Sequence, residues 1–467
     1  KRGPDPRYGV THPAFAVPRL DTIAAVATAV APGQGGIAVI RLSGPVAEQV
    51  GQAVVRCPGR QEWGSHRILY GHVMAVDGQR RLDEVLLLLM RAPRSFTGED
   101  VVEIHCHGGV MAVQQVMERV LEQPGVRRAL PGEFSQRAVL NGRLDLTQAE
   151  AVSALVSARS RRAADLAMAG LDGGIQARIT ALRERLLDQL TELEARVDFE
   201  DDLPPLDGTA LLQELQAVRT ELLALVADGE RGDALRHGLR VALVGRPNVG
   251  KSSLLNRLSR RERAIVTELP GTTRDLLESE IVLDGVPITL MDTAGIRATN
   301  DAVEQLGIAR SEEALMSADL VLLIVDGHAG WTETDAQLLA RIPNAVPRVV
   351  VANKSDLDGP PLPGEVDVQF SALNGAGEDA LVQVLLERCG AGDAAGIVLS
   401  LNTRQRDLAS AAAAALARSH EVAQQQLPWD FWTIDLREAI RGLGEITGEE
   451  LTEAVLERVF SRFCIGK

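Results

Sequence analysis

A glycine-framed loop near the middle of the chain limits the possible folds more than any other feature. Residues 241–244 are an apolar, β-branched run, and residues 245–252 then read Gly-x-x-x-x-Gly-Lys-Ser, which fits the phosphate-binding loop pattern. Glycines let backbone N–H groups turn around a polyphosphate, and the helix predicted at 252–258 adds the positive end of its dipole. Lys251 supplies a charge to the β- and γ-phosphates, and the Ser252 hydroxyl is suited to bind Mg²⁺. The stretch therefore predicts a P-loop nucleotide-binding domain.

Two further motifs lie downstream, in segments that are expected to meet Mg²⁺ and the γ-phosphate. Residues 271–275, Gly-Thr-Thr-Arg-Asp, are a turn-rich stretch from which a threonine hydroxyl can reach Mg²⁺. Residues 292–295, Asp-Thr-Ala-Gly, follow an apolar strand predicted at 288–291. The Asp292 carboxylate can hold Mg²⁺ through water, and the Gly295 N–H can meet the γ-phosphate.

A third motif selects the base. Residues 353–356, Asn-Lys-Ser-Asp, follow a strand predicted at 349–351. The Asp356 carboxylate can accept both the N1–H and the N2 amino group of guanine, whereas adenine would leave it unpaired. Residues 371–373 offer backbone N–H groups to the guanine oxygen, so the prediction is a GTPase domain. The residues predicted to bind GTP are Asn248, Val249, Gly250, Lys251, Ser252, Ser253, Thr267, Thr272, Thr273, Asp292, Thr293, Ala294, Gly295, Asn353, Lys354, Asp356, Ser371, Ala372 and Leu373.

One position departs from the Ras pattern, in which a glutamine orients the attacking water. Ile296 stands at this position and cannot do so. Asn248 could help to hold a monovalent cation beside the phosphates, or it could be a plain turn residue. Glu304 could orient the water through a second water, or it could be a solvated helix residue. The candidate catalytic residues are thus Glu304, Asn248 and Lys251.

Composition narrows the class of protein. A chain of 467 residues is long enough for about three domains, and 45% hydrophobic with 24% charged residues is typical of a soluble globular protein. A net charge of −15 disfavours a broad nucleic-acid surface, leaving a local basic patch or a partner that carries the RNA. The four cysteines are scattered, which predicts reduced thiols and no zinc cluster. Without an evident membrane span or signal peptide, we expect a cytoplasmic protein.

The predicted elements divide the chain into five parts. They are a disordered tail at 1–19, an α+β domain of mostly antiparallel strands at 20–140, a helical part at 141–235, the GTPase domain at 236–392 and a second helical part at 393–467. Helices on both sides of the GTPase domain favour its insertion into one helical domain. The helices are predicted at 175–197, 211–227, 403–425, 436–443 and 449–460. Capping boxes at Thr147/Glu150 and Thr447/Glu450 are expected to open two helices.

Other residues admit two interpretations. On a strand predicted at 101–107, Glu103, His105 and His107 share one face and suggest a metal, yet no second ligand cluster is evident, which favours satisfied strand residues. Cys464 could be a reactive thiol, but its bulky apolar neighbours favour inert packing. Taken one at a time, three cations are predicted to be surface charges: Arg41, Arg143 and Lys467.

Several stretches taken together resemble one family closely. They are Asp21–Ala25 with Gly35–Ile37, Phe96–Asp100, Pro131–Phe134, Asn141–Leu146, the GTPase motifs and the terminal Cys464–Lys467. The family is MnmE, also called TrmE, the tRNA-modifying GTPases. The likeness extends from Asp21 to Lys467, and the segment before Asp21 has no counterpart in it.

The resemblance implies a multidomain α/β and α+β fold. Its parts are an N-terminal α+β tetrahydrofolate-binding domain that forms a homodimer, a discontinuous α-helical domain and an inserted Ras-like P-loop G domain. The resemblance also implies a heterotetramer with the flavoprotein MnmG, which carries FAD. Together the two proteins would add an aminomethyl or carboxymethylaminomethyl group to C5 of the wobble uridine of tRNA. The one-carbon unit would come from 5,10-methylene-tetrahydrofolate, of which 5-formyl-tetrahydrofolate is an analogue.

The family's site residues fall on matching positions of this sequence. The resemblance implies a K⁺-dependent hydrolysis, stimulated when two G domains meet, and it implies K⁺ ligands at Asn248, Thr267, Leu269 and Thr272. It implies Mg²⁺ ligands at Ser252 and Thr273, and Glu304 matches the family's water-orienting glutamate. The implied folate contacts are Arg41, Glu103, Arg143 and Lys467, with Arg143 standing where relatives often have lysine.

The leading hypothesis is therefore a K⁺-dependent GTPase within a tRNA-modifying complex. The alternative is a regulatory GTPase switch or ribosome-assembly factor without modification chemistry. Such proteins commonly carry a basic RNA-binding module, whereas the C-terminal helices predicted here are acidic to mixed.

Overall fold

The protein is described here by a computed structural model. It describes residues 21–33, 35–199, 207–260, 278–292, 315–392, 396–425, 428–449, 452–461 and 463–466, so the predicted tail at 1–19 lies outside it. Two compact units make up the chain, Lys1–Ser153 with Thr447–Lys467 and Ala154–Ile446. The five-part boundaries stay a prediction. Among the described helices, none combines the length and the apolar character that crossing a bilayer requires.

Strands and helices are numbered in chain order. The strands are β1 (Thr22–Val26), β2 (Ile37–Ser43), β3 (Val55–Arg56), β4 (Arg67–Met74), β5 (Arg81–Met90), β6 (Val101–His107), β7 (Val126–Arg128), β8 (Leu239–Val244), β9 (Glu278–Leu283), β10 (Val286–Asp292), β11 (Leu320–Asp326), β12 (Arg348–Asn353) and β13 (Val368–Gln369). The helices are α1 (Ala47–Val54), α2 (Val110–Leu121), α3 (Glu133–Leu140), α4 (Leu146–Ser157), α5 (Arg161–Leu171), α6 (Gly174–Phe199), α7 (Gly208–His237), α8 (Lys251–Leu258), α9 (Glu333–Arg341), α10 (Glu378–Arg388), α11 (Thr403–Gln424), α12 (Trp429–Thr447) and α13 (Glu453–Phe460).

A seven-stranded sheet forms the first unit, in the order β3-β4-β5-β6-β2-β1-β7. Neighbouring strands pair antiparallel, except that β7 runs parallel to β1. Because side chains alternate along a strand, β2 sends Ile40 and Leu42 to one face and Arg41 to the other. Helices α1 and α2 cover the face that carries Ile40 and Leu42. The predicted α+β domain of mostly antiparallel strands is confirmed.

The C-terminal helix α13 belongs to this first unit. Phe460 and Phe463 pack in one apolar cluster with residues of α3 and α4. The contact is close at Gly132, where a Cβ atom would lie 2.7 Å from the Phe460 carbonyl oxygen. The end of the chain therefore completes the core of the unit that its beginning forms.

Two helix starts differ from the prediction. Asp145, not Thr147, caps α4, because its Oδ1 accepts from the Gln148 N–H at 2.9 Å while Gln148 Oε1 accepts from the Asp145 N–H at 3.1 Å. The fully buried Leu146 already belongs to the helix. Thr447 ends α12, and Thr452 caps α13 through the Val455 N–H. The capping box predicted at Thr147/Glu150 was therefore wrong, and Thr447 does not open the last helix; Glu450 lies outside the described residues.

The helices of the second unit form one core from both sides of the GTPase domain. Leu182 of α6 and Leu222 of α7 share a buried cluster with Leu416 of α11 and Leu436 of α12. This confirms that the flanking helical segments pack together. Helix α7 runs to His237 rather than ending at residue 227, and α12 is longer than predicted at both ends.

A six-stranded sheet forms the centre of the GTPase domain, in the order β13-β12-β11-β8-β10-β9. All pairs are parallel except β9 with β10. Buried clusters lie on both faces of the sheet, as a parallel sheet requires. The chain order reverses at β8, and in such sheets ligands bind outside the carboxyl ends of the strands at this point.

Candidate functional site

The phosphate loop connects β8 to α8, at the carboxyl edge of the central strand. Lys251 begins α8 and is almost fully buried. Its Nζ donates to the carbonyl oxygens of Gly245 at 2.7 Å and Arg246 at 2.9 Å. The loop's own carbonyls thus hold the cation beside the backbone that is expected to surround a polyphosphate.

Two glycines are required by close contacts at this loop. Gly245 has φ +157°, and a Cβ atom there would lie 2.3 Å from the Ile324 carbonyl oxygen. Gly250 has φ +98°, and its Cβ would lie 2.2 Å from Nδ2 of Asn353. The loop conformation therefore fits a phosphate cradle and tolerates no side chain at either position.

Asn248 has φ +66° although it is not glycine, and it is exposed. Asparagine tolerates this left-handed conformation better than most residues, which is the turn role that the sequence left open. Ser252 and Ser253 are exposed in the first turn of α8, whereas Val249 is buried under the loop. The exposed Ser252 hydroxyl suits Mg²⁺, a cation that prefers oxygen ligands.

The base-selecting motif is tied to the phosphate loop by Asn353. Its Nδ2 donates to the Val249 carbonyl at 2.8 Å, and its Oδ1 accepts from the Ala372 N–H at 3.0 Å. The Ser371 hydroxyl donates to Asp356 Oδ1 at 2.5 Å. Asp356 itself is exposed at this edge, and its second oxygen can accept a guanine donor. Leu373 is exposed as well.

Lys354 pairs with a carboxylate that lies outside the predicted motifs. Its Nζ donates to Asp326 Oδ2 at 2.6 Å, at the end of the neighbouring strand β11. Burial would raise the pKa of Asp326, but the bonds from Lys354 and the N–H groups of Ala329 and His328 lower it. The pair fixes Lys354, which has φ +68°, at the carboxyl edge of the sheet.

Asp292 is the one remaining predicted GTPase residue within the described ranges. Asp292 ends β10, opposite Leu243 of β8, and so lies at the same edge as the phosphate loop. The following lie outside the described residues: Thr267, Leu269, Thr272, Thr273, Thr293, Ala294, Gly295, Glu304 and, in the other unit, Lys467.

The candidate folate residues of the first unit include one directly paired couple. Arg41 and Glu103 are cross-strand neighbours, and Arg41 Nε donates to Glu103 Oε1 at 2.8 Å. His105 Nε2 lies 3.4 Å from the other Glu103 oxygen. The Arg41 guanidinium also lies 5.7 Å from the Phe96 ring centre and 5.8 Å from that of Phe134. These contacts hold Arg41 and Glu103 together as a pair, on the face of the sheet that α1 and α2 do not cover.

Two other predictions for the first unit have different outcomes. Arg143 is exposed, as expected of a surface charge. Cys464 is exposed, so the packing interpretation was wrong for its side chain, because the buried neighbour is Phe463. The Cys464 carbonyl accepts from the Gly132 N–H at 3.3 Å. A Cβ atom on Gly466 would lie 2.6 Å from the Val26 carbonyl oxygen, so the terminal motif runs close to the end of β1.

Sequence reasoning missed Asp335, which binds Arg246 of the phosphate loop. Arg246 Nε donates to Asp335 Oδ1 at 2.8 Å, and Asp335 is fully buried. The spacing Thr332-x-x-Asp335 is a capping-box signal that could have marked this residue as a helix start. It could not have shown which loop the carboxylate meets.

The parallel sheet, the glycine-framed loop and the Asn353–Asp356 motif define a P-loop GTPase, an enzyme that hydrolyses GTP. The family model described as "MnmE helical domain" matches residues 146–464, and the one described as "GTP-binding protein TrmE N-terminus" matches residues 22–143. The chain belongs to the MnmE family.

Individual relatives agree with the family models. The "tRNA modification GTPase MnmE" of Synechococcus sp. (strain CC9902) is 96% identical over 451 residues, covering 97% of this chain and 100% of the relative. The protein of the same name from Prochlorococcus marinus (strain MIT 9313) is 71% identical over 465 residues, covering 97% and 99%. Among solved structures, Aquifex aeolicus Era bound to GDP.AlF4- is 29% identical over 38% of this chain and 66% of that chain, with a TM-score of 0.27. A TM-score of this size adds nothing to the fold argument above.

Proposed function

We propose that this chain is a K⁺-dependent GTPase that modifies tRNA. With the flavoprotein MnmG and its FAD, it adds an aminomethyl or carboxymethylaminomethyl group to C5 of the wobble uridine. The one-carbon unit comes from 5,10-methylene-tetrahydrofolate. The observation that carries this proposal is a guanine-nucleotide site in an MnmE-family chain in which Ile296 replaces the water-orienting glutamine. The family membership argues against the ribosome-assembly alternative.

GTP binding uses residues from several strand ends. The loop between Gly245 and Gly250 presents backbone N–H groups to the phosphates, and Lys251 exchanges its carbonyl partners for phosphate oxygens. Asp356, held by Ser371, accepts the two guanine donors. The bond from Asn353 to the Val249 carbonyl ties the base motif to the phosphate loop.

A monovalent cation supplies the positive charge that hydrolysis needs beside the β- and γ-phosphates. The side chain of Asn248 is exposed on the loop and offers a carbonyl oxygen, which fits K⁺. Thr267, Leu269 and Thr272 complete the proposed K⁺ set. Ser252 and Thr273 hold Mg²⁺, and Glu304 orients the water.

The proposed folate site lies on the face of the N-terminal sheet that α1 and α2 do not cover. Glu103 presents a carboxylate that can accept the paired N–H donors of a pterin, and its bond from Arg41 fixes its orientation. Arg143 and Lys467 provide cations for the glutamate tail or a formyl oxygen. The proposed assembly is a homodimer through the N-terminal domain, within a cytoplasmic heterotetramer with MnmG.

Two measurements test hydrolysis and modification separately. We expect GTP turnover to be at least tenfold faster in KCl than in NaCl, and Asn248→Ala to remove most of this difference. Cells lacking the gene should lose the 5-substituted wobble uridine in nucleoside mass spectrometry, and the wild-type gene should restore it. Equal GTP turnover in KCl and NaCl would contradict the proposed role of K⁺. Unchanged tRNA nucleosides in cells lacking the gene would contradict the proposed modification.

A further inference from the structure

The first variable residue of the phosphate loop forms an ion pair with a helix that is distant in the sequence. Arg246 follows Gly245, and its Nε donates to Asp335 Oδ1 at 2.8 Å. The Arg246 side chain is 23% exposed and that of Asp335 is 0% exposed. The two residues are 89 positions apart in the chain, so the pair joins the loop to the start of α9.

Asp335 is a rigid anchor because both of its oxygens are bonded. Its Oδ2 accepts from the Thr332 N–H at 3.0 Å and from the Thr332 hydroxyl at 2.7 Å. The Thr332 hydroxyl in turn caps the helix through the Asp335 N–H. The carboxylate therefore holds a fixed place at the first turn of α9, and the guanidinium that meets it is fixed as well.

The same Arg246 contacts the phosphate-binding lysine through its backbone. Its carbonyl oxygen accepts from Lys251 Nζ at 2.9 Å, so the side chain and the main chain of one residue link Asp335 to Lys251. The loop between them contains Asn248 at φ +66°, a left-handed conformation that asparagine tolerates better than most residues.

We propose that the Arg246–Asp335 ion pair holds the phosphate loop in its nucleotide-binding conformation, so that Arg246 is a positioning residue for Lys251. Without the pair, the loop is ordered only when the polyphosphate binds, and the cost of ordering it appears in the affinity for nucleotide. Once GTP is bound, the phosphates impose the loop conformation, so the chemical step changes less than binding does.

The test compares single and double variants of the full chain. We expect Arg246→Gln and Asp335→Asn each to weaken binding of a fluorescent GDP analogue about tenfold and to raise KM for GTP similarly, with kcat changed less than threefold. The double variant should be no weaker than the poorer single variant, because both changes remove one interaction. Arg246→Lys keeps a donor for Asp335 and should recover part of the affinity for the GDP analogue. Because this variant leaves Asp335 unchanged, it tests the proposal even if Asp335→Asn fails to fold.

Arg257→Gln is the matched control. Arg257 Nε donates to Glu378 Oε2 at 2.8 Å, an ion pair of the same kind between α8 and α10 that touches no phosphate-loop carbonyl. Its loss should lower thermal stability as much as Arg246→Gln does, while GDP affinity stays within twofold. If Arg246→Gln lowers the melting temperature but leaves GDP affinity unchanged, the pair is structural only and the proposal is overturned. A hundredfold loss in the double variant would also overturn it, because the residues would then act independently.

Discussion

At the scale of single residues, Gly250 shows how the two nucleotide motifs depend on each other. Nδ2 of Asn353, from the base motif, takes the space that a Cβ atom of Gly250 would need. The same amide donates to the Val249 carbonyl. The glycine of the phosphate motif therefore serves the packing of the base motif as well as the phosphate. Neither role can be separated from the positive φ that the residue adopts.

We predict that Gly250→Ala weakens GDP binding by more than tenfold. The added methyl group would meet Asn353 Nδ2 at 2.2 Å and would also strain a backbone at φ +98°. Isothermal titration with GDP measures the loss. Gly364→Ala is the control, since no atom lies within 4 Å of a Cβ built there. Equal affinities of the two variants would contradict the argument.

At the scale of elements, helix ends were the least predictable part of the fold. Helix α7 continues through Gly229 and Gly232, two residues that interrupt helical propensity. A Cβ atom on Gly229 would lie 3.0 Å from the Leu401 carbonyl oxygen, and the space at Gly232 is taken by Ser400. The glycines therefore mark a close contact of α7 with the segment just before α11 rather than a helix end, which is why the predicted end at residue 227 was wrong.

The cap of α4 leads to a second prediction at this scale. Asp145→Ala removes the acceptor of the Gln148 N–H and of the Thr147 hydroxyl, at 2.9 and 2.6 Å. We expect a loss of about 1 kcal/mol in the free energy of unfolding, measured by urea denaturation of the full chain. Asp172→Ala is the control, because this exposed residue stands at the C-cap of α5, where a carboxylate gains nothing from the helix dipole. A smaller loss for Asp145→Ala than for Asp172→Ala would show that α4 needs no cap.

At the scale of the whole molecule, contacts between distant parts of the sequence complete each unit. In the first unit, Glu133 is 1% exposed and accepts from Arg127 at 2.6 and 2.8 Å and from the Leu130 N–H at 2.9 Å. Arg137 joins Glu133 to Asp21 and Glu99. Burial alone would raise the pKa of Glu133, but its bonds from Arg127 and Leu130 lower it to about 2.

This network predicts the acid sensitivity of the protein. Because the pKa of Glu133 is lower in the folded state than its usual 4.5, its stabilisation is complete above pH 4.5 and is lost as the pH falls towards 2. The loss should be about 1.4 kcal/mol per pH unit in that window. We expect Glu133→Gln to be less stable than wild type at pH 6, and the difference to narrow at pH 3.5, in urea denaturation.

Glu62→Gln is the control for this measurement, since Glu62 is exposed and lies outside the network. Its difference from wild type should stay near zero at both pH values. A difference for Glu133→Gln that is the same at pH 6 and pH 3.5 would contradict the role given to the network.

The sequence by itself determined the chemistry of the nucleotide site and the class of each main part. Phosphate and base motifs are read from a few consecutive residues, because the backbone turns and donors that they need are local. Apolar residues likewise predicted β6 of the first sheet and β8, β10 and β12 of the second. Only the tertiary structure decided which distant groups meet the nucleotide motifs, namely Asp335 at Arg246 and Asp326 at Lys354. It also decided which groups pack against glycines elsewhere, namely Ser400 against Gly232 and Phe460 against Gly132. Such partners are chosen by packing and burial across the fold, and neither leaves a signal in the residues that flank them.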